Sequence, residues 1–153
     1  MAIYLVQHGR NLPKDQDPEQ GLSPRGIDDV KRIAGLARGY EVPVASIVHS
    51  GKKRALQTAE IFCEALNPPQ GIKQMDGLKP LDDVAAVAGG LKPESGLMIV
   101  GHLPFMERLA SFLINGDTNR PVFKFQNGGI VCLDQAPGGN GWVIKWTLTP
   151  EIN

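Results

Sequence analysis

Three short apolar runs, residues 2–7, 44–48 and 97–100, each close within two residues on a histidine: His8, His49 and His102. These are all the histidines of the 153-residue chain. Each run is short, contains β-branched residues and is bounded by turn formers, the pattern of a buried strand. The segments between them carry helical periodicity instead. Ser23-Pro24 offers an N-cap followed by proline at the first helical position, and Ile27, Val30, Ile33, Ala34 and Ala37 then share one face as far as Gly39. A second helix is expected with Ser50 as its cap, with Ala55, Ala59, Ile61, Phe62 and Leu66 turned inward and Asn67-Pro68-Pro69 as its stop. A short strand is expected over residues 71–75. Further helices are expected over 82–88, ended by Gly89-Gly90, and over 104–114, ended by Asn115-Gly116. Strands alternating with helices require a mainly parallel sheet covered on both faces.

The last third reads differently. Residues 122–125, 129–133 and 142–148 are strand-like, and residues 137–141 form a glycine-rich turn between the last two. The expected fold is therefore α/β: a three-layer sandwich with a mainly parallel central sheet and an antiparallel C-terminal edge. The length suits one core, and no repeat or linker interrupts it, so residues 1–153 are expected to form a single domain.

Composition narrows the function classes. Sixteen Lys and Arg balance sixteen Asp and Glu. No overall basic field points to nucleic acid or to an anionic membrane, so neither is an expected partner. The two cysteines, Cys63 and Cys132, cannot make a disulfide scaffold or a four-cysteine zinc site, and both sit in segments that read as core. No basic leader followed by a long apolar run opens the chain, and no stretch approaches a membrane span. Cytoplasm is the expected location.

In open α/β sheets ligands bind beyond the carboxyl ends of the strands, and here those ends are polar. The first finishes in Gln7-His8-Gly9-Arg10, the second in His49-Ser50-Gly51-Lys52-Lys53-Arg54, the third in Gly101-His102. Two imidazoles with a guanidinium describe an anion pocket. Gly9 permits close approach to the backbone, and Arg54 presents a planar fork suited to phosphate oxygens. Lys52 and Lys53 read as solvated surface, and His49 as packing at a strand end. Competing motifs fail. Neither cysteine has an arginine six positions on, and neither a Gly-x-x-x-x-Gly-Lys-Ser/Thr loop nor a Gly-x-Ser-x-Gly elbow is present. The histidines lack metal-site spacing, and no metal or other cofactor is expected.

These segments resemble a known family. His8-Gly9, with Leu22-Ser23-Pro24-Arg25-Gly26 after it, is similar to the opening of the histidine phosphatase superfamily, whose signature is Arg-His-Gly. The stretch from Ser50 through Arg54-Ala55 to Gln57-Thr58-Ala59 resembles the family's Ser-Pro-x-x-Arg-Ala-x-Gln-Thr-Ala segment, and Val100-Gly101-His102-Leu103-Pro104 its second-histidine motif. The spacing fits the small SixA-type phosphohistidine phosphatase branch. The resemblance implies a phosphoglycerate mutase-like fold and a hydrolase that uses no metal. It implies His8 as a nucleophile that becomes phosphorylated, Arg54 as the phosphoryl clamp and His102 as the second imidazole. Gln7, Gly9, Arg10 and Ser50 would line the substrate position. The implied partner is a phosphorylated protein, such as a phosphohistidine-bearing signalling or phosphotransfer domain.

Three departures bear on that expectation. The family arginine before the nucleophile is Gln7 here, and loss of a charged contact in such a pocket costs about 2–4 kcal/mol. Arg10 or Lys14 would have to swing in to replace it. The Pro of the second motif is Gly51, expected to make the same turn. A general acid is also missing: Leu103 follows the second histidine, and Gly77 stands where relatives place glutamate. Asp76, Asp82 and Asp83 are the nearby carboxylates, the last two expected to cap a helix. A pocket without an acid favours a phosphoramidate, whose imidazole leaves without a strong acid. The alternatives are a phosphatase of small phosphate esters, and a catalytically weakened module that binds phospholigands.

Overall fold

The computed structural model describes residues 1–152. Its strands are β1 (Ile3–Gln7), β2 (Ser46–His49), β3 (Ile72–Gln74), β4 (Leu97–Gly101), β5 (Ile130–Gln135) and β6 (Trp142–Leu148). Its helices are α1 (Pro24–Gly39), α2 (Lys53–Leu66), α3 (Val84–Ala88) and α4 (Phe105–Asn115), and a 3-10 turn at Pro93–Ser95 leads into β4. The strands form one sheet in the order β3-β2-β4-β1-β5-β6. The first four are parallel, while β5 runs antiparallel to β1 and β6 antiparallel to β5.

The pleat divides the core in two. Tyr4 and Val6 of β1 lie in one cluster with Val30, Ile33, Ala59 and Phe62 of α1 and α2. Ile3 and Leu5 alternate into a second cluster with Val84, Phe105, Met106 and Leu109 of α3 and α4. Each such fully buried large side chain contributes about 1.5–3 kcal/mol relative to exposure. The chain steps outward from β1 to β2 to β3 with α1 and α2 on one face. It then reverses, inserts β4 between β2 and β1, and places α3 and α4 on the other face. A fixed crossover hand makes a reversal of direction a change of face. The reversal puts a topological switch point at the carboxyl ends of β2, β4 and β1, where ligands bind in open α/β sheets.

Local chemistry sets the boundaries. Ser23 caps α1, its hydroxyl accepting from the Gly26 amide at 3.0 Å. Asn67 closes α2 in the left-handed conformation, and Gly116 does so for α4. Gly26 is obligatory: a Cβ there would lie 2.1 Å from the Arg10 carbonyl oxygen. That close approach joins α1 to the chain just beyond His8.

Three expectations change. Residues 122–125 form no strand. Both edges of β1 are taken, by β4 and β5, and the only ladder contact nearby is a single bridge between Gln7 and Asn127. The segment instead packs Phe125 into the second core, with Phe123 edge-on to it at 5.6 Å. Ser50 does not cap α2: the helix begins at Lys53, Lys52 holds the cap position without a side-chain bond, and the Ser50 hydroxyl is engaged elsewhere. The second strand begins at Ser46 rather than at residue 44, because the Ala45 amide bonds to the Gly96 carbonyl outside the ladder. Among the described residues no helix is long and apolar enough to cross a membrane.

Candidate active site

Strand register brings the histidines together. Gln7 pairs with Gly101 across β1 and β4, so His8 and His102 are the next residues on neighbouring strands. The His8 amide continues the ladder, donating to the Gly101 carbonyl at 3.0 Å. His49 pairs with Val100 on the far side of β4. All three lie at adjoining strand ends and are buried. The rings of His8 and His102 have centroids 5.0 Å apart, with planes tilted by 51°.

One hydrogen bond settles the tautomer of His8. Nδ1 lies 2.7 Å from the Gly9 carbonyl oxygen, which can only accept. Nδ1 therefore carries the proton and Nε2 keeps its lone pair. Burial pushes the His8 pKa down to about 4, opposed by the Gly9 carbonyl and assisted by the Arg54 charge, so the ring is neutral at pH 7. The surrounding backbone is held from two sides. Asn127 Nδ2 donates to the His8 carbonyl at 3.0 Å. The Gly9 amide donates to Thr58 Oγ1 at 2.9 Å, and that hydroxyl donates to the Arg54 carbonyl at 2.8 Å. A side chain at Gly9 would meet Val30 at 2.7 Å.

His102 has Nε2 2.6 Å from Ser50 Oγ, while its buried Nδ1 has no partner. Burial, then the neighbouring His8, Arg54 and Lys52, push its pKa down to about 3. It too is neutral. His49 organises the loop: its Nδ1 accepts from the Gly51 amide at 3.0 Å, and burial lowers its pKa. Gly51 sits at a φ of +89°. Proline has neither that φ nor an N–H, so the glycine does not make the turn a proline would make.

The cations differ in what they have left to bind. Arg54 is half-buried, its charge reaches both imidazoles, and it has no ion pair among the described residues. Burial lowers its pKa, but a guanidinium stays protonated. Lys53 pairs with Asp17 at 2.9 Å, and Lys52 and Lys14 are exposed. Arg10 is turned to Glu151, at 3.0 Å, and to Asp29, at 4.0 Å, and does not fill the place of the missing arginine. Gln7 is buried with its side-chain oxygen unpartnered.

No carboxylate hydrogen-bonds to His8 or His102 among the described residues. Asp83 caps α3 through the Ala85 amide, and Asp82 accepts from the Lys79 amide at 2.9 Å. Asp76 is exposed in a cleft of about 190 Å³ that also touches Ser50, Gln74 and Lys79. The geometry therefore collects His8, His102, Arg54, Ser50 and Gly9, and leaves Arg10 in a separate cluster. Sequence reasoning assigned no role to Thr58. The signal available was a hydroxyl four residues after Arg54, one turn along the same helix.

Comparison with known proteins identifies the family and the fold. The family model described as histidine phosphatase superfamily (branch 1) matches residues 3–82. Phosphohistidine phosphatase SixA of Escherichia coli is 28% identical over 156 residues, covering 98% of this chain and 94% of that protein. A solved structure of the protein histidine phosphatase SixA complexed with tungstate superposes with a TM-score of 0.80, at 24% identity, covering 98% of this chain and 97% of that one. A phosphoserine phosphatase from Entamoeba histolytica, solved with 3-phosphoglyceric acid, shares the fold at a TM-score of 0.68 and 15% identity, covering 97% and 96%. The chain belongs to branch 1 of the histidine phosphatase superfamily, and within it to the small SixA-type group of hydrolases.

Proposed function

We propose that the protein removes the phosphoryl group from phosphohistidine in a protein partner, through a phosphorylated His8 and without a metal. The observation that carries this reading is the His8 tautomer: Nδ1 is committed to the Gly9 carbonyl at 2.7 Å, which leaves Nε2 as a neutral nucleophile. His8 Nε2 donates its lone pair to phosphorus while the P–N bond to the substrate imidazole breaks. The substrate imidazole, protonated on its other nitrogen, leaves as the neutral ring with the electron pair of that bond. Water then attacks phosphorus, the His8 P–N bond breaks with its electron pair returning to Nε2, the proton lost by water passes to solvent, and phosphate departs. Arg54 and His102 hold the equatorial oxygens, over which the charge is spread, so that transfer needs mainly alignment and charge stabilisation.

What the pocket lacks supports that substrate class. Asp82 and Asp83 are spent on backbone amides, and among the described residues neither imidazole hydrogen-bonds to a carboxylate. An alkoxide leaves badly without an acid, whereas an imidazole with a conjugate-acid pKa of about 6.5 does not need a strong one. The name borne by the Escherichia coli relative, phosphohistidine phosphatase, supports the same class.

The test is single-turnover release from a phosphohistidine peptide beside release from p-nitrophenyl phosphate. The proposal expects faster release from the peptide, an acid-labile phosphoenzyme, and loss of both in His8→Ala. Equal turnover by His8→Ala would overturn it.

A further inference from the structure

The segment after β6 folds back against the neighbourhood of the nucleophile. Glu151 Oε1 accepts from Arg10 at 3.0 Å and, closer still, from Arg25. Arg32 donates to the Pro150 carbonyl at 2.7 Å. Gln126 brackets the Glu151 backbone, donating to its carbonyl at 2.9 Å and accepting from its amide at 3.1 Å. The next residue, Asn127, is the one that holds the His8 carbonyl. Arg25, Asp29 and Arg32 follow i, i+4, i+7 spacing along α1, and Arg10 stands two residues beyond His8. A cavity of about 200 Å³ opens among Arg10, Asp29, Asn127 and Glu151.

Among the described residues this cluster is under-neutralised: its three guanidiniums face two carboxylates, and one oxygen of Glu151 serves two of them. The arginine side chains are 41%, 61% and 52% exposed for Arg10, Arg25 and Arg32, so most of their donors remain open to a partner. Exposed ion pairs are worth about 0–1 kcal/mol each, so the Glu151 carboxylate can be exchanged while Gln126 keeps its backbone in place. The seat already accepts a carboxylate. Asp29 lies 4.0 Å from two of the guanidinium groups and disfavours a doubly charged phosphate there.

We propose that Arg10, Arg25 and Arg32 form a docking surface for an acidic segment flanking the phosphorylated residue of the protein partner, and that Glu151 occupies this surface until the segment displaces it. This rests on the phosphatase reading for its biological partner, but the surface is measurable without catalysis. A partner so docked lies along α1 and leads toward His8 through Arg10.

The experiment titrates a fluorescein-labelled, unphosphorylated glutamate-rich peptide into the full chain, its Glu151→Gln variant and its Arg25→Glu/Arg32→Glu variant. Glu151→Gln should tighten binding by about tenfold, and the charge reversal should weaken it by at least as much, both effects fading at high salt. Misfolding cannot produce the gain expected of Glu151→Gln. In kinetics, the kcat/KM ratio for acidic-flanked over neutral-flanked phosphohistidine peptides should fall about tenfold in the reversed variant. An unchanged affinity in Glu151→Gln would sink the docking proposal, as would tighter binding of an oligonucleotide of equal charge. Peptide binding without turnover of any phosphohistidine substrate would overturn the phosphatase reading instead.

Discussion

The Gly9 amide and the Thr58 hydroxyl are joined by a hydrogen bond of 2.9 Å, and through it the nucleophile loop is tied to the turn of α2 that bears Arg54. Thr58 is fully buried and does not reach the site's open space. Thr58→Val keeps the shape and orphans the amide. It should cost about 1–3 kcal/mol in urea unfolding and slow phosphoenzyme formation by about tenfold, or 1.4 kcal/mol in the barrier. Thr58→Ser should restore both. A slow but equally stable valine variant would mean that the bond positions without stabilising.

The two imidazoles should also be legible in pH titrations. Both folded pKa values, about 4 for His8 and about 3 for His102, lie below the unfolded value, which is about 6.5. Below that unfolded value the unfolded chain binds more protons than the native one, so native stability falls as pH falls. The loss should be on the order of 2 kcal/mol per imidazole by about pH 5. Urea midpoints should drop between pH 7.5 and 5, while the ring proton shifts of both residues stay flat over that range. A shift midpoint near 6.5 for either ring would contradict its burial.

Two glycines on α1 give opposite expectations. At Gly26 a methyl group meets the Arg10 carbonyl at 2.1 Å, so Gly26→Ala should destabilise by about 1–3 kcal/mol or more and displace the loop behind His8. At Gly35 nothing lies within 4 Å, and Gly35→Ala should stabilise by about 0.5–1 kcal/mol through helix propensity. Thermal melts of the two variants check both signs.

Gln7 offers a gain of function. Its side-chain oxygen is buried without a partner, and Arg10 is held away by Glu151 and Asp29. Gln7→Arg should raise kcat/KM on a phosphohistidine peptide by about thirtyfold to a thousandfold, the equivalent of a charged contact of about 2–4 kcal/mol. No gain would place position 7 away from the phosphoryl oxygens.

Much of the fold was readable because its signals are local. Ser23-Pro24 marks a helix start, Asn115-Gly116 a helix end, and the alternation of Ile3 to Val6 a strand covered on both sides. The misreadings come from contacts distant in sequence. Residues 122–125 have strand composition but find no free edge, which depends on where β4 and β5 go. Ser50 has the chemistry of a cap, yet His102, 52 residues later, takes its hydroxyl. The same holds for the candidate site. His8, Arg54 and His102 stand out by residue type at strand and helix ends, whereas Asn127 and Glu151 meet their partners only through the finished sheet.

The spacing of the imidazole pair is inherited from the β1–β4 ladder, one residue past Gln7 and Gly101, and not from the loops that follow. A single-residue insertion within either strand would turn one ring to the opposite face, while insertions at the crest of residues 11–21 would leave the pair in place. The chain can therefore exchange what surrounds its reaction centre, and so its choice of partners, without redesigning the centre itself.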